Sequence, residues 1–180
     1  MPSSGKGFVQ AYNAQAAVDV ETMLIIENHV TQASNDKREI NPALTSMNEL
    51  PEELGKASTL LADAGYYSDD NVASCERSGI EPYTPPNREK HNQPLTARFI
   101  DPAPLHEGAE PIDTMRNKLK SVDDRKVYAQ RKSTVEPVFG IIKHLLGFRQ
   151  FFLRGKEAVS GEWTLVSTAW NIKRMFALSS

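Results

Sequence analysis

Tyr128, Arg131, Glu136 and Lys143 fall within sixteen residues of a 180-residue chain. Lys143 follows Glu136 by seven positions, close to two helical turns, so a helix would place both on one face. An acid beside cations is a way to build a phosphate site around a metal: the carboxylate takes the ion, and the cations and a tyrosine hydroxyl take phosphate oxygens. The same spacing also describes a solvated salt-bridge ladder, which is worth little. Glu136 has a second local explanation. Ser133 and Glu136 stand in S-x-x-E spacing just before Pro137, which is the pattern of a capping box at the start of a helix. Asp63 is the other carboxylate of interest. It ends the apolar run of "STLLADAG", at the carboxyl end of a predicted parallel strand, where open α/β sheets bind their ligands. An aspartate there also starts turns for ordinary reasons.

The elements that must position these residues follow from periodicity. "AYNAQAAVDV" and "TMLIIENHVTQ" are partly alternating apolar runs around a polar "DVE", which predicts an antiparallel hairpin over residues 11 to 31. Asp36-x-x-Glu39 and Asn41 before Pro42 offer two starts for a helix within 36 to 50, ended by "PEELGK". A strand ending at Asp63, a glycine turn, a helix over 69 to 78 capped by Ser68 and stopped by Gly79, and a strand from Ile80 make a β-α-β unit with parallel strands. Residues 85 to 114, rich in Pro, Asn and His, read as a long loop or insertion. Helical patterns resume from Met115 to Gln130, and again from Thr134 to about His144, with Gly147 as the stop. In the last segment Val159, Trp163, Val166 and Trp170 form one apolar stripe of a closing helix, so the tryptophans are core. This order is that of a mixed α/β domain.

Composition bounds the rest. With 39% hydrophobic and 24% charged residues the chain is ordinary globular material. Its one cysteine, Cys75, has no internal partner and no zinc spacing, which suits a reducing cytosol. No segment has the apolar length of a membrane span or a signal peptide, so a cytoplasmic protein is expected. Net charge is −2, but residues 1 to 124 carry 11 Lys/Arg and 20 Asp/Glu, whereas residues 125 to 180 carry 10 and 3. The excess of −9 against +7 points to a polyanionic partner at the basic end.

"YNAQAAVD", "NDKREINP", "LLADAGYYS", "RKSTVEPVFGIIKHLLGFRQFFLRG" and "EWTLVSTAWNIKRMF" together resemble the C-terminal part of a bacterial DDE-type insertion-sequence transposase of the cut-and-paste kind. The resemblance covers nearly the whole chain as one catalytic domain over 1–180, and is weakest in the Pro-rich stretch. It implies a ribonuclease H-like α/β fold, with a mixed sheet flanked by helices. It also implies that Asp63 and Glu136 are the second and third acids of a metal-binding catalytic triad for Mg²⁺. The family's tyrosine, arginine and lysine fall on Tyr128, Arg131 and Lys143. Four residues separate Arg131 from Glu136 where the family pattern has three, and Lys132 fits that spacing, so both cations stand as candidates. Arg149 and Arg154 complete the set expected to touch DNA.

The first triad acid lies, in this fold, on a strand preceding the hairpin. That strand is expected upstream of Met1, and the chain is read as a truncated copy. Asp19, in the hairpin turn, is the one acid placed to substitute for it, and a turn role explains it as well. What the resemblance implies is hydrolysis at transposon ends followed by strand transfer into target DNA, with a homodimer as the expected assembly. Two alternatives remain: a non-catalytic DNA-binding remnant, and a ribonuclease H-like nuclease that cleaves without joining.

Overall fold

A computed structural model describes residues 11–87 and 99–179. Among them is a mixed α/β arrangement that divides into two compact units, residues 11–49 with 132–179, and residues 50–87 with 99–131.

The first unit begins with the hairpin predicted from alternation. β1 (Asn13–Val18) pairs antiparallel with β2 (Ile25–Thr31), from Asn13 opposite Thr31 to Val18 opposite Ile25, with a register shift between Ala17 and Val18. Period 2 gives the ribbon two unlike faces. Ala14, Ala16 and Val30 pack into the apolar core, while Gln15, Glu27 and His29 share the opposite face. A short 3₁₀ turn, Asp36–Arg38, starts at Asn35, whose side chain accepts the Lys37 N–H. It leads into α1 (Ile40–Asn48), which buries Ile40 and Leu44.

The helix closing this unit, α5 (Lys156–Leu178), buries Val159, Trp163 and Trp170 against the hairpin, as the stripe requires. Side chains of α5 also reach the hairpin's backbone. Trp163 Nε1 donates to the Gln15 carbonyl and Trp170 Nε1 to that of Met23, each at 2.8 Å. The Asn171 amide satisfies both the N–H and the carbonyl of Ile25 at 2.8 Å. These bonds occupy polar groups of the ribbon that would otherwise cost energy beside an apolar helix.

In the second unit β3 (Thr59–Leu61) lies parallel to β4 (Glu81–Tyr83), joined through α2 (Asp69–Arg77). Ser68 Oγ caps α2 by accepting the Asn71 N–H at 3.2 Å, and Gly79 follows it at φ +70°, a left-handed conformation that favours glycine. The β-α-β unit is therefore the predicted one. Tyr67, Val72 and Tyr83 form its core with Met115 and Leu119. Tyr83 is fixed twice: its hydroxyl donates to Asp124 at 2.8 Å, and Lys118 Nζ sits 3.8 Å from its ring centre.

Two expectations change. The irregular stretch predicted over 85 to 114 ends earlier, because Pro111 opens α3 (Pro111–Lys118), where its missing N–H costs nothing; residues 88–98 of that stretch lie outside the described residues. The two predicted helices at 115 to 130 and 134 to 144 are divided elsewhere: the break falls at 119–121, and α4 (Val122–His144) then runs unbroken through Pro137.

Candidate active site

Asp63 ends the run that forms β3 and has an extended backbone. Its Oδ1 accepts the Gly65 N–H at 2.8 Å, opening a 3₁₀ turn over Ala64–Tyr66. The side chain is exposed, and Oδ2 takes part in no hydrogen bond among the described residues. Turn formation thus draws on one of the two oxygens of the carboxylate.

Glu136 lies inside α4 and not at its start, so the capping box is not formed there as a helix N-terminus. Continuity of α4 orders its side chains by direction. Thr134, Val138 and Ile142 make the buried side. Arg131 precedes Val138 by seven positions and is half-buried, so it belongs to that side. Its guanidinium stands 5.8 Å from the centre of the Tyr128 ring. Lys132 precedes Glu136 by four positions and Lys143 follows it by seven, and all three are exposed. With ~100° per residue they span an arc of roughly 40° on the solvent side, and Tyr128, four before Lys132, continues that row. The helix therefore groups Lys132, and not Arg131, with Glu136.

Asp19 serves the hairpin turn. Its Oδ2 accepts from the Thr22 N–H at 2.8 Å and from Thr22 Oγ1, while its backbone pairs with Leu24 and Met23. Cys75 is fully buried, and burial pushes its thiol up to about 11, which leaves little thiolate at neutral pH for nucleophilic chemistry. Asp63 belongs to the second unit and Glu136 to the first. Among the described residues no group of three or more His, Cys, Asp or Glu is arranged to hold a metal ion. None of their helices is long and apolar enough to cross a membrane.

Two further features stand apart from the carboxylates, one of them just beyond Gly147, at φ +74°, where the arginines implied by the resemblance lie. Arg149 and Arg154 are exposed and, with Lys143, border a cleft whose walls include Tyr12, Phe139, Phe148 and Phe151. The interleaving of aromatics and arginines in "GFRQFFLRG" was the available signal. The other feature is His29, whose Nδ1 meets Glu27 Oε1 at 2.8 Å and whose Nε2 meets Glu39 Oε2 at 3.0 Å. Hydrogen bonding to Glu27 raises the His29 pKa; burial opposes this and Glu39 adds to it.

Compared with known proteins, the sequence matches the family described as the transposase DDE domain over residues 2–172. No curated protein and no solved structure matches it. The matched span contains the strand end at Asp63, the whole of α4 and the cleft beside it, and on that match the chain belongs to the transposase DDE domain family.

Proposed function

We propose that this chain is a DNA-acting domain that binds the ends of an insertion sequence and contributes Asp63 and Glu136 to metal-dependent phosphodiester chemistry, on a ribonuclease H-like fold. The family match over residues 2–172 carries the reading. Family membership alone assigns no role to a residue, and the arrangement of α4 is what supports the particular ones.

Both carboxylates suit a hard divalent cation such as Mg²⁺: each is an exposed oxygen donor, and Asp63 Oδ2 is outside every hydrogen bond of the described residues. When bound, a metal pair supplies an activated water or 3′-hydroxyl and stabilises the leaving oxygen. The remaining work falls to the chain. Lys132 and Lys143, on the exposed face of α4 with Glu136, hold phosphate oxygens and offset the charge of the strand being cut. Tyr128 adds a hydroxyl to the same row. Arg131, on the buried side, positions the Tyr128 ring through its guanidinium. Asp19, the one candidate for the first acid of the triad, is engaged in its own turn through Oδ2.

The test is nicking of a DNA end in Mg²⁺, with Asp63→Asn and Glu136→Gln measured beside the wild type. Each substitution is expected to lower the rate at least a hundredfold, more than the roughly 10- to 100-fold typical of residues that only orient a metal ligand. Nicking that survives both changes sinks the site assignment. Salt-sensitive DNA binding with no nicking at all marks the chain as a binding module instead.

A further inference from the structure

We propose that the solvent side of α5 is a self-association surface, on which α5 of a second copy of this chain packs antiparallel about a two-fold axis between Thr168 and Ala169. The inference goes beyond the functional reading and uses none of the residues assigned there to metal or DNA.

The placement follows from the two sides of one helix. Val159, Trp163, Ser167 and Trp170 are the buried side of α5. At ~100° per residue, Gly161, Leu165, Thr168, Ala169, Ile172 and Phe176 share an arc of roughly 100° opposite to them. All six are exposed, and the large ones strongly so: Leu165 is 71% accessible, Ile172 60% and Phe176 76%. The outward side of a surface helix ordinarily carries charged and polar residues. Here the charged residues between Gly161 and Ser179 are Glu162, Lys173 and Arg174, and all three fall outside the arc. Arg174 turns back to the Thr22 carbonyl at 2.6 Å. An apolar stripe running roughly 22 Å along a helix, with charge only at its flanks, marks a protein contact.

Two observations name the occupant. Gly161 sits inside α5, where glycine weakens a helix relative to alanine, and among the described residues nothing lies within 4 Å of the position its Cβ would take. No contact within the chain accounts for the missing side chain, whereas a bulky group arriving from outside does. The second observation is register. An antiparallel copy with its axis between Thr168 and Ala169 sets Leu165 against the partner's Ile172 and each Phe176 over the partner's Gly161, while the smaller Thr168 and Ala169 let the helices approach at the centre. Lys173 then stands on the same flank as the partner's Glu162, offset by about 3 Å along the axis. Glu162 holds the Phe152 and Leu153 N–H groups at 2.9 to 3.1 Å and, as a carboxylate, keeps lone pairs for a lysine. Each large side chain and each flanking charge thus meets its complement in the same helix, as an isologous interface requires. A polyanion would find no cation on this arc.

Sedimentation velocity of the full chain tests this from about 5 to 200 µM, because a contact between two helices is below the area of a standard interface and forms a weak dimer. The weight-average sedimentation coefficient is expected to rise from the monomer's towards the dimer's across that range. Leu165→Glu and Ile172→Glu, at exposed positions, are each expected to hold the chain monomeric with an unchanged circular dichroism spectrum. Gly161→Leu discriminates further: it favours the helix in the monomer, so the urea midpoint should rise, while dimerisation weakens about tenfold. Thr168→Cys is expected to cross-link to its copy on mild oxidation and Leu178→Cys is not, since the paired positions lie beside the axis in the first case and roughly 28 Å apart along the helix in the second. The native Cys75 is buried and does not compete. A sedimentation coefficient independent of concentration overturns the proposal, as does a dimer that survives both glutamate substitutions or cross-links through Leu178→Cys alone. Should one glutamate variant fail to fold, the other and Gly161→Leu carry the test. Monomers that instead float with phosphatidylcholine vesicles overturn it too, since the face then serves a lipid surface.

Discussion

The two ring nitrogens of His29 each face a carboxylate, Glu27 at 2.8 Å and Glu39 at 3.0 Å, and both acids are nearly inaccessible to solvent. Gln15, paired with His29 across the hairpin, donates to Asp36 at 2.9 Å, and Arg38 and Lys156 line the neighbouring cavity of about 560 Å³. Alternation of "IENHV" in the sequence predicts the strand, but nothing local shows that Asp36 and Glu39, from the segment leading into α1, meet these side chains. The folded-state pKa of His29 lies above its ordinary value. Its contribution to stability is therefore complete below the unfolded value of ~6.5 and is lost as pH rises through the folded value. Urea unfolding followed by tryptophan fluorescence checks this, since Trp163 and Trp170 both report on the first unit. The midpoint is expected to fall from pH 6 towards pH 8. His29→Gln should flatten that dependence and cost roughly 1.5–3 kcal/mol at pH 6, the range for a hydrogen bond to a charged group. Equal slopes in the two proteins would exclude His29 as its source.

Within single elements, legibility followed the strength of the local pattern. The hairpin, the Ser68-capped helix and the tryptophan stripe each combine a clear period with a clear stop, and each forms as read. At Glu136 two good local signals pointed the wrong way. Ser133, Glu136 and Pro137 fit a helix start, yet Thr134, Val138 and Ile142 continue one buried side through that point, and their packing outweighs the proline. The outcome matters for the candidate site, because only an unbroken α4 groups Lys132 with Glu136. Pro137 has no N–H to offer the Ser133 carbonyl, and its ring crowds the preceding turn, a cost of about 3 kcal/mol inside a helix. Pro137→Ala is thus expected to raise the unfolding free energy from urea titration by up to that amount, with helix content by circular dichroism unchanged. At a first-turn position the same change would gain almost nothing, so a flat result would argue for a helix broken there.

For the whole molecule, the net charge of −2 hides a division that governs how it meets a polyanion. The 10 Lys/Arg of residues 125 to 180 face only 3 acids, and Lys132, Lys143, Arg149 and Arg154 are all exposed. The sequence therefore foretold where the positive charge lies along the chain. It could not foretell the aromatic cleft, whose rings come from Tyr12 just before β1, from α4, from α5 and from the loop between the two helices, because contacts between residues so distant in sequence leave no period. Each cation that neutralises a duplex phosphate releases a counterion, so log K falls linearly with log salt at about 0.9 per contact. Replacing Lys132, Arg149 and Arg154 together by Gln is expected to lower that slope by roughly 2.7, measured by fluorescence anisotropy on a labelled duplex between 50 and 200 mM salt. Since all three side chains are exposed, unfolding in urea should change little, surface substitutions of this kind being worth about 0.5 kcal/mol or less. An unchanged slope would mean that the phosphates are held elsewhere, and would remove these cations from the DNA-binding face.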